Sequence, residues 1–118
     1  MLTCFSALIY MLGVYKANGT VTPADALRMV GLTPLERLEA MRPDPDDTDL
    51  KSALDRALQQ YDAFLETTAD GDDVLRERFA DREGRMALNA QSNHFGDAVH
   101  DVLRHVGGDN RFYRLLVV

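Results

Sequence analysis

The residues with the widest chemical repertoire in this 118-residue chain are its three histidines, His94, His100 and His105. At about 100° per residue of an α-helix, His94 shares one side with His105, Asp97 and Asp101. Imidazole and carboxylate groups bind metal ions and act as general acids and bases. However, His94 and His105 would lie about 16 Å apart along the helix axis, so one metal ion cannot bind both.

A second polar series on the same helix would suit an anion or a small polar ligand. If this side of the helix faces a cleft, its amide, imidazole and guanidinium groups can donate hydrogen bonds there. The hypothesis that follows is a small-ligand or metal-binding enzyme domain that uses the polar side of helix 86–106. The candidate ligand stripe consists of Arg85, Asn89, Asn93, His100 and Arg104.

Other catalytic patterns are missing from the sequence. It has no Gly-x-Ser-x-Gly elbow, no P-loop, no Gly-x-Gly-x-x-Gly and no Cys-x-x-Cys. The single cysteine, Cys4, lies in an apolar stretch without the cationic neighbours that activate a thiol. Because it also lacks a disulfide partner, a reducing compartment is favoured, and we expect a cytoplasmic protein. The sequence predicts no cofactor and no metal site, and it favours a protein that is not an enzyme.

The elements that must position these residues are predicted to be helices. The clearest helix spans 49–67, where apolar residues recur at intervals of three and four. A last long helix covers 86–106, although the pattern leaves open whether 72–106 forms one kinked helix or two. Glycine disfavours a helix interior, so we expect a break or kink near Gly84. The fold class is therefore all-α, one domain over 1–118, an irregular bundle of about six helices.

Two short helices are predicted from the Thr-Pro pairs at Thr22-Pro23 and Thr33-Pro34. Threonine is a good N-cap, and proline fits the first helical turn. In the first of these helices we expect Ala26, Leu27 and Val30 to face inward. In the helix after Gly71, we expect the same of Val74, Leu75 and Phe79.

The segment 23–41 is a helix, Gly turn and helix, the arrangement of a helix-turn-helix. A DNA-binding regulator that uses this segment is therefore an alternative. Its second helix places Glu36 and Glu39 around Arg37, and carboxylates repel the phosphate backbone. The charge distribution is also unfavourable, because residues 43–118 carry a net charge of −7. Nucleic acid is thus the less favoured partner.

Residues 2–17 are almost continuously apolar. A helix of this length measures about 24 Å, which is short of the roughly 30 Å hydrocarbon core, so no membrane span is predicted. Such a helix must be covered by its own chain or by a second one. We expect residues 115–118 to dock against it. The candidate partner interface consists of Leu2, Phe5, Ile9 and Leu12.

These observations favour a non-enzymatic protein that acts through protein–protein association. It would work as a homodimer or as an accessory or regulatory subunit, with self-association through the N-terminal helix. The DNA-binding regulator and the ligand-binding or metal-binding enzyme domain remain the alternatives.

Overall fold

The computed structural model describes residues 2–41, 47–110 and 113. These residues form six α-helices and no strand, which confirms the predicted all-α bundle. The predicted docking of residues 115–118 lies outside the described residues. The helices are α1 (Leu2–Asn18), α2 (Pro23–Val30), α3 (Pro34–Glu39), α4 (Thr48–Thr68), α5 (Asp72–Ala80) and α6 (Arg82–Gly107).

Helices α2 and α3 begin at the Thr-Pro pairs, and each begins with a capping box. The N–H of Asp25 donates to the Thr22 hydroxyl at 3.3 Å, and the N–H of Thr22 donates to the Asp25 carboxylate at 2.9 Å. Thr33 and Glu36 exchange the same pair of bonds at 3.3 and 2.7 Å. Each box satisfies two N–H groups that a helix start leaves unpaired.

The break between α5 and α6 lies at Asp81, three residues before Gly84. Residues 72–106 therefore form two helices. Asp81 has an extended backbone, and its carboxylate accepts from the N–H of Gly84 at 2.8 Å. Gly84 itself lies in the first turn of α6, where a Cβ atom would collide with the backbone carbonyl of Arg78. The glycine thus allows α5 to fold back closely against the start of α6.

Helices α4 and α6 are the longest and pack antiparallel to each other. The core forms where they meet α1 and α3. Three contacts show the alignment of the pair: the ion pair Arg56–Asp101 (3.2 Å), the rings of Tyr61 and Phe95 (6.0 Å between centroids) and the hydrogen bond from Gln91 to Thr67 (3.0 Å). The buried apolar residues are Ile9, Tyr10, Leu12, Leu38, Leu50, Ala53, Leu54, Ala57, Phe95, Ala98, Val99, Val102, Leu103 and Val106.

The core occupies only one end of the α4–α6 pair. None of the residues from 58 to 94 is buried. We refer to 58–94 as the distal arm and to the other described residues as the head. The molecule measures 49 × 29 × 26 Å, and its radius of gyration is 16.1 Å, against about 13.5 Å for a compact domain of this length. The elongation shows that the arm extends beyond the packed head.

Helix α1 belongs to the head. Its C-terminal end is fixed to α6, because the Lys16 ammonium donates to the carbonyl of His105 at 3.0 Å. Gly107 of α6 has no side chain, and the Leu12 side chain packs at that position. No helix among the described residues is long and apolar enough to cross a membrane.

Candidate interaction surface

Two members of the histidine and aspartate series on α6 are bonded within the fold. The Asp101 carboxylate pairs with Arg56, and the His105 ring nitrogen Nδ1 lies 2.7 Å from the Asp101 carbonyl. His94 and Asp97 are exposed. Across residues 2–41, 47–110 and 113, no three His, Cys, Asp or Glu side chains come together as metal ligands would. Asp101 and His105 therefore contribute to α6 itself and to its contact with α4.

The candidate ligand stripe lies along one exposed side of α6. Arg85 is bound to α5, because its guanidinium donates to the carbonyls of Phe79 and Ala80 at 2.7 Å each. These bonds satisfy the last carbonyls of α5, which a helix end leaves unpaired. The other four residues, Asn89, Asn93, His100 and Arg104, are exposed to solvent. Ligand binding by the stripe stays a prediction.

Arg37, the cation at the centre of the proposed DNA-reading helix, is bonded within the fold. Arg37 is buried, and its Nε donates to the carbonyl of Met29 at 2.9 Å. Its NH1 group donates to the carbonyl of Thr3 at 3.2 Å. One guanidinium thus joins α3 to the end of α2 and to the start of α1. Arg28 is exposed, but Glu36 and Glu39 still face solvent on α3.

The candidate interface residues of α1 divide into two pairs. Ile9 and Leu12 have exposed fractions of 0% and 6% and belong to the core of the monomer. Leu2 and Phe5 are half-buried and pack against the edge of that core. Only the second pair offers surface to another chain. The opposite side of the helix exposes Cys4 as a free thiol.

Helix α2 is only partly covered, contrary to the prediction from its sequence. Ala26 is half-buried, whereas Leu27 and Val30 are 76% and 69% exposed. The prediction was wrong for these two residues because α2 packs mainly against α1. One neighbour covers one side of a helix, and the remaining apolar residues face solvent.

Among the described residues, five of the nine large apolar side chains that are exposed lie in the distal arm. Among the apolar residues of α5 only Leu75 is half-buried, and the predicted inward orientation of Val74 and Phe79 was wrong. Phe79 is 55% exposed, and Met86 at the start of α6 is 63% exposed. The sequence does not predict this surface, because the exposure of Phe79 and Met86 depends on where the other helices end. The set is Phe64, Leu65, Val74, Phe79 and Met86.

A depression of about 600 Å³ lies where α4, α5 and α6 meet in the arm. Its walls are mainly apolar. Hydrogen bonds and an ion pair connect the segments around it. Gln91 donates to the Thr67 hydroxyl at 3.0 Å, and Arg78 donates to the Thr67 carbonyl at 3.1 Å. Arg78 also pairs with Asp70 at 2.6 Å. The lining residues are Thr67, Arg78, Gly84, Ala87, Leu88, Ala90, Gln91 and His94.

The distal arm is also strongly acidic. Residues 58–94 contain four arginines and eight aspartates or glutamates, which gives a net charge of −4. Residues 2–41, by contrast, carry three charges of each sign. One of the four arginines, Arg78, is already neutralised by Asp70. The exposed apolar residues and the depression therefore lie in a negatively charged part of the molecule.

No protein-family model, curated protein or solved structure significantly matches this chain.

Proposed function

We propose that this chain acts by associating with another protein chain, as a homodimer or as an accessory or regulatory subunit. The distal arm, rather than the N-terminal helix alone, supplies the contact surface. One observation carries the proposal: residues 58–94 form helices that expose large apolar side chains and bury none of their residues. Amphipathic helices gain most of their stability from covering the apolar face, so the exposed apolar residues of the arm favour a partner that covers them.

The total surface supports the same proposal. The accessible surface of the chain is 8015 Å², whereas a compact monomer of this mass exposes about 6,400 Å². The excess of about 1,600 Å² exceeds the roughly 800 Å² that each partner loses in a standard interface. Aromatic residues and methionine, such as Phe79 and Met86, are also enriched in interfaces relative to other surface.

The N-terminal helix retains a smaller part in the proposal. Leu2 and Phe5 are half-buried at the edge of the head and would add contact area to an interface centred elsewhere. The free, exposed thiol of Cys4 supports a cytoplasmic location, because reducing compartments keep thiols unpaired.

Site-specific photo-crosslinking in living cells tests the proposal. A photoreactive phenylalanine analogue replaces Phe79 in the arm, and a matched control carries it at Asp49, an exposed position in the head. We expect a discrete adduct from position 79 and none from position 49. An adduct of twice the chain mass identifies a homodimer, and another discrete mass identifies a subunit partner. If neither position gives an adduct, or both give the same one, association through the arm is wrong.

A further inference from the structure

We infer that the partner of the distal arm is a second copy of this chain, and that an acidic patch of each arm contacts a basic patch of the other across a two-fold axis. This inference rests on the proposed function and selects the homodimer among the partners proposed there. The acidic patch is Asp62, Leu65 and Glu66 on α4. The basic patch is Arg76 and Phe79 on α5 with Arg82 and Met86 on α6.

The acidic patch places two carboxylates beside an exposed leucine. Leu65 is 45% exposed, and Asp62 lies one helical turn before both Leu65 and Glu66, so the three side chains are neighbours on the helix surface. Both carboxylates are exposed, and among the described residues neither has an ion-pair or hydrogen-bond partner. Residues 58–71 contain three acids and no lysine or arginine. The surface around Leu65 is therefore locally negative.

The basic patch places two guanidinium groups beside exposed apolar side chains. Arg76 precedes Phe79 by three residues in α5, and Arg82 precedes Met86 by four in α6, so each pair lies together on its helix. All four arginines of the arm fall within residues 76–85. Two of them are bonded within the chain. The other two, Arg76 and Arg82, are exposed and have no ion-pair or hydrogen-bond partner in the part of the chain that the structure describes.

The two patches are complementary to each other. Each combines an exposed apolar centre with charges of one sign, and arginine and carboxylate groups form strong charge-assisted hydrogen bonds. Within one copy the patches do not cover each other, because the residues of both are exposed. In a two-fold dimer every contact occurs twice, so one arrangement covers both patches of both copies. The chain thus supplies the partner that each of its own patches favours.

Neither net charge nor surface area opposes this pairing. Salt screens interactions between exposed charges that lie more than about 8 Å apart at physiological ionic strength. The charges that meet at the patches therefore matter more than the net charge of −4 on each arm. The chain also exposes about 1,600 Å² more than a compact monomer of its mass. Each copy loses roughly 800 Å² in a standard interface, so the available surface is sufficient.

Reversing the charge of each patch tests the inference on the full chain. The variant Asp62→Arg/Glu66→Arg makes both patches basic, and Arg76→Glu/Arg82→Glu makes both acidic. Sedimentation equilibrium measures the dissociation constant of the unmodified dimer, of each variant alone and of an equal mixture of the two variants. We expect each variant alone to dissociate at least tenfold more readily, because like charges then meet at both contacts. We expect the mixture to form a heterodimer within about threefold of the unmodified affinity.

Recovery in the mixture separates reciprocal contact from misfolding and from general repulsion, because mixing changes neither the fold nor the net charge of either variant. The matched control is Asp55→Arg/Asp97→Arg, which reverses two exposed acids of the head and changes the net charge as much as the α4 variant does. We expect this control to retain the dissociation constant of the unmodified protein.

Several results would overturn the inference. One is an unmodified protein that stays monomeric up to about 100 µM, and another is dimerisation that charge reversal leaves unchanged. A mixture that dissociates as readily as its components would exclude contact between these patches. Growth beyond a dimer would exclude the two-fold arrangement, since unlike patches would then join in an open series.

The crosslinking experiment distinguishes failure of this inference from failure of the proposed function. A monomeric protein with a discrete adduct from position 79 at another mass would reject the second copy but retain association through the arm. A monomeric protein without any adduct would reject both.

Discussion

Arg37 illustrates how a single residue connects three helices of the head. Its guanidinium satisfies the carbonyls of Met29 and Thr3 in a buried position. The variant Arg37→Met keeps much of the side-chain volume but leaves both carbonyls without this donor. Removing a buried hydrogen-bond partner costs about 1–3 kcal/mol, so we expect the free energy of unfolding to fall by that amount in chemical denaturation.

The matched control for Arg37 is Arg28→Met on the neighbouring helix. Arg28 is exposed, and substitutions at such positions change stability by less than about 0.5 kcal/mol. Equal losses in the two variants would show that Arg37 is not bound as described.

The two capping boxes make the stability of α2 and α3 sensitive to acid. The hydroxyl and then the backbone N–H of Thr22 lower the pKa of Asp25 below its ordinary 3.8. The backbone N–H and then the hydroxyl of Thr33 lower the pKa of Glu36 below its ordinary 4.5. A carboxylate whose pKa is lower in the folded state adds stability above its unfolded pKa, and this contribution is lost as pH falls through the folded pKa.

The prediction from these pKa shifts concerns the variant Asp25→Asn/Glu36→Gln. Its deficit in unfolding free energy relative to the unmodified protein is expected to be constant between about pH 6 and pH 8. The deficit then shrinks as pH falls below 4.5 and 3.8, because the unmodified carboxylates become protonated as well. Urea titrations of the variant and of the unmodified protein at each pH measure this deficit. A deficit that stays constant down to about pH 2 would contradict the ionised capping boxes.

The start of α6 shows a glycine that packing requires against its helix propensity. Alanine normally stabilises a helix interior by about 1 kcal/mol relative to glycine. A Cβ atom at Gly84, however, would meet the backbone carbonyl of Arg78, which cannot rotate away. We expect Gly84→Ala to weaken the α5–α6 contact by about 1–3 kcal/mol, as overpacking does. Limited proteolysis should then cut α5 faster.

Gly96 provides the control for Gly84 in the same helix. A Cβ atom there meets nothing within 4 Å, so Gly96→Ala is expected to raise the unfolding free energy by up to about 1 kcal/mol. If both glycine variants are stabilised, the close approach of α5 at Gly84 is wrong.

The helices themselves could be predicted where the signal is local. Thr22-Pro23 and Thr33-Pro34 fix the starts of α2 and α3 by hydrogen bonding and by the proline ring, and neither depends on distant residues. The sequence predicts that the last helix begins at Met86 rather than at Arg82, because glycine disfavours a helix interior. The Arg78 carbonyl, which makes glycine necessary at position 84, is a contact that the sequence does not reveal. Contacts across a turn are not contained in helix propensity.

The buried side of each helix was harder to predict than its bounds. Periodicity identifies an apolar face, but burial depends on how many neighbours cover that face. It succeeded for Leu50, Ala53 and Leu54, which pack in the head. It failed for Val30 and Phe79, whose helices have few neighbours. The candidate surface on the distal arm could not be predicted for the same reason, since its position follows from where the other helices end.

At the scale of the whole molecule, the uneven packing predicts a gradient of local stability. Residues 95–106 of α6 contact α1 and α4 in the head, whereas α5 buries no residue and packs mainly against α6. Amides with few buried contacts around them exchange through low-energy local openings. We therefore expect native-state hydrogen exchange to be slowest in 95–106 and fastest, among the helices, in α5.

The dependence of hydrogen exchange on protein concentration distinguishes a monomer from a dimer that covers the arm. In a dilute monomer, the arm has no cover, and its amides should exchange at least tenfold faster than those of the head. If the arm is as protected as the head at high protein concentration but loses protection on dilution, a second copy covers it, because mass action dissociates a dimer. That result would favour the homodimer over an accessory or regulatory subunit. Uniform protection at every concentration would instead contradict an uncovered arm.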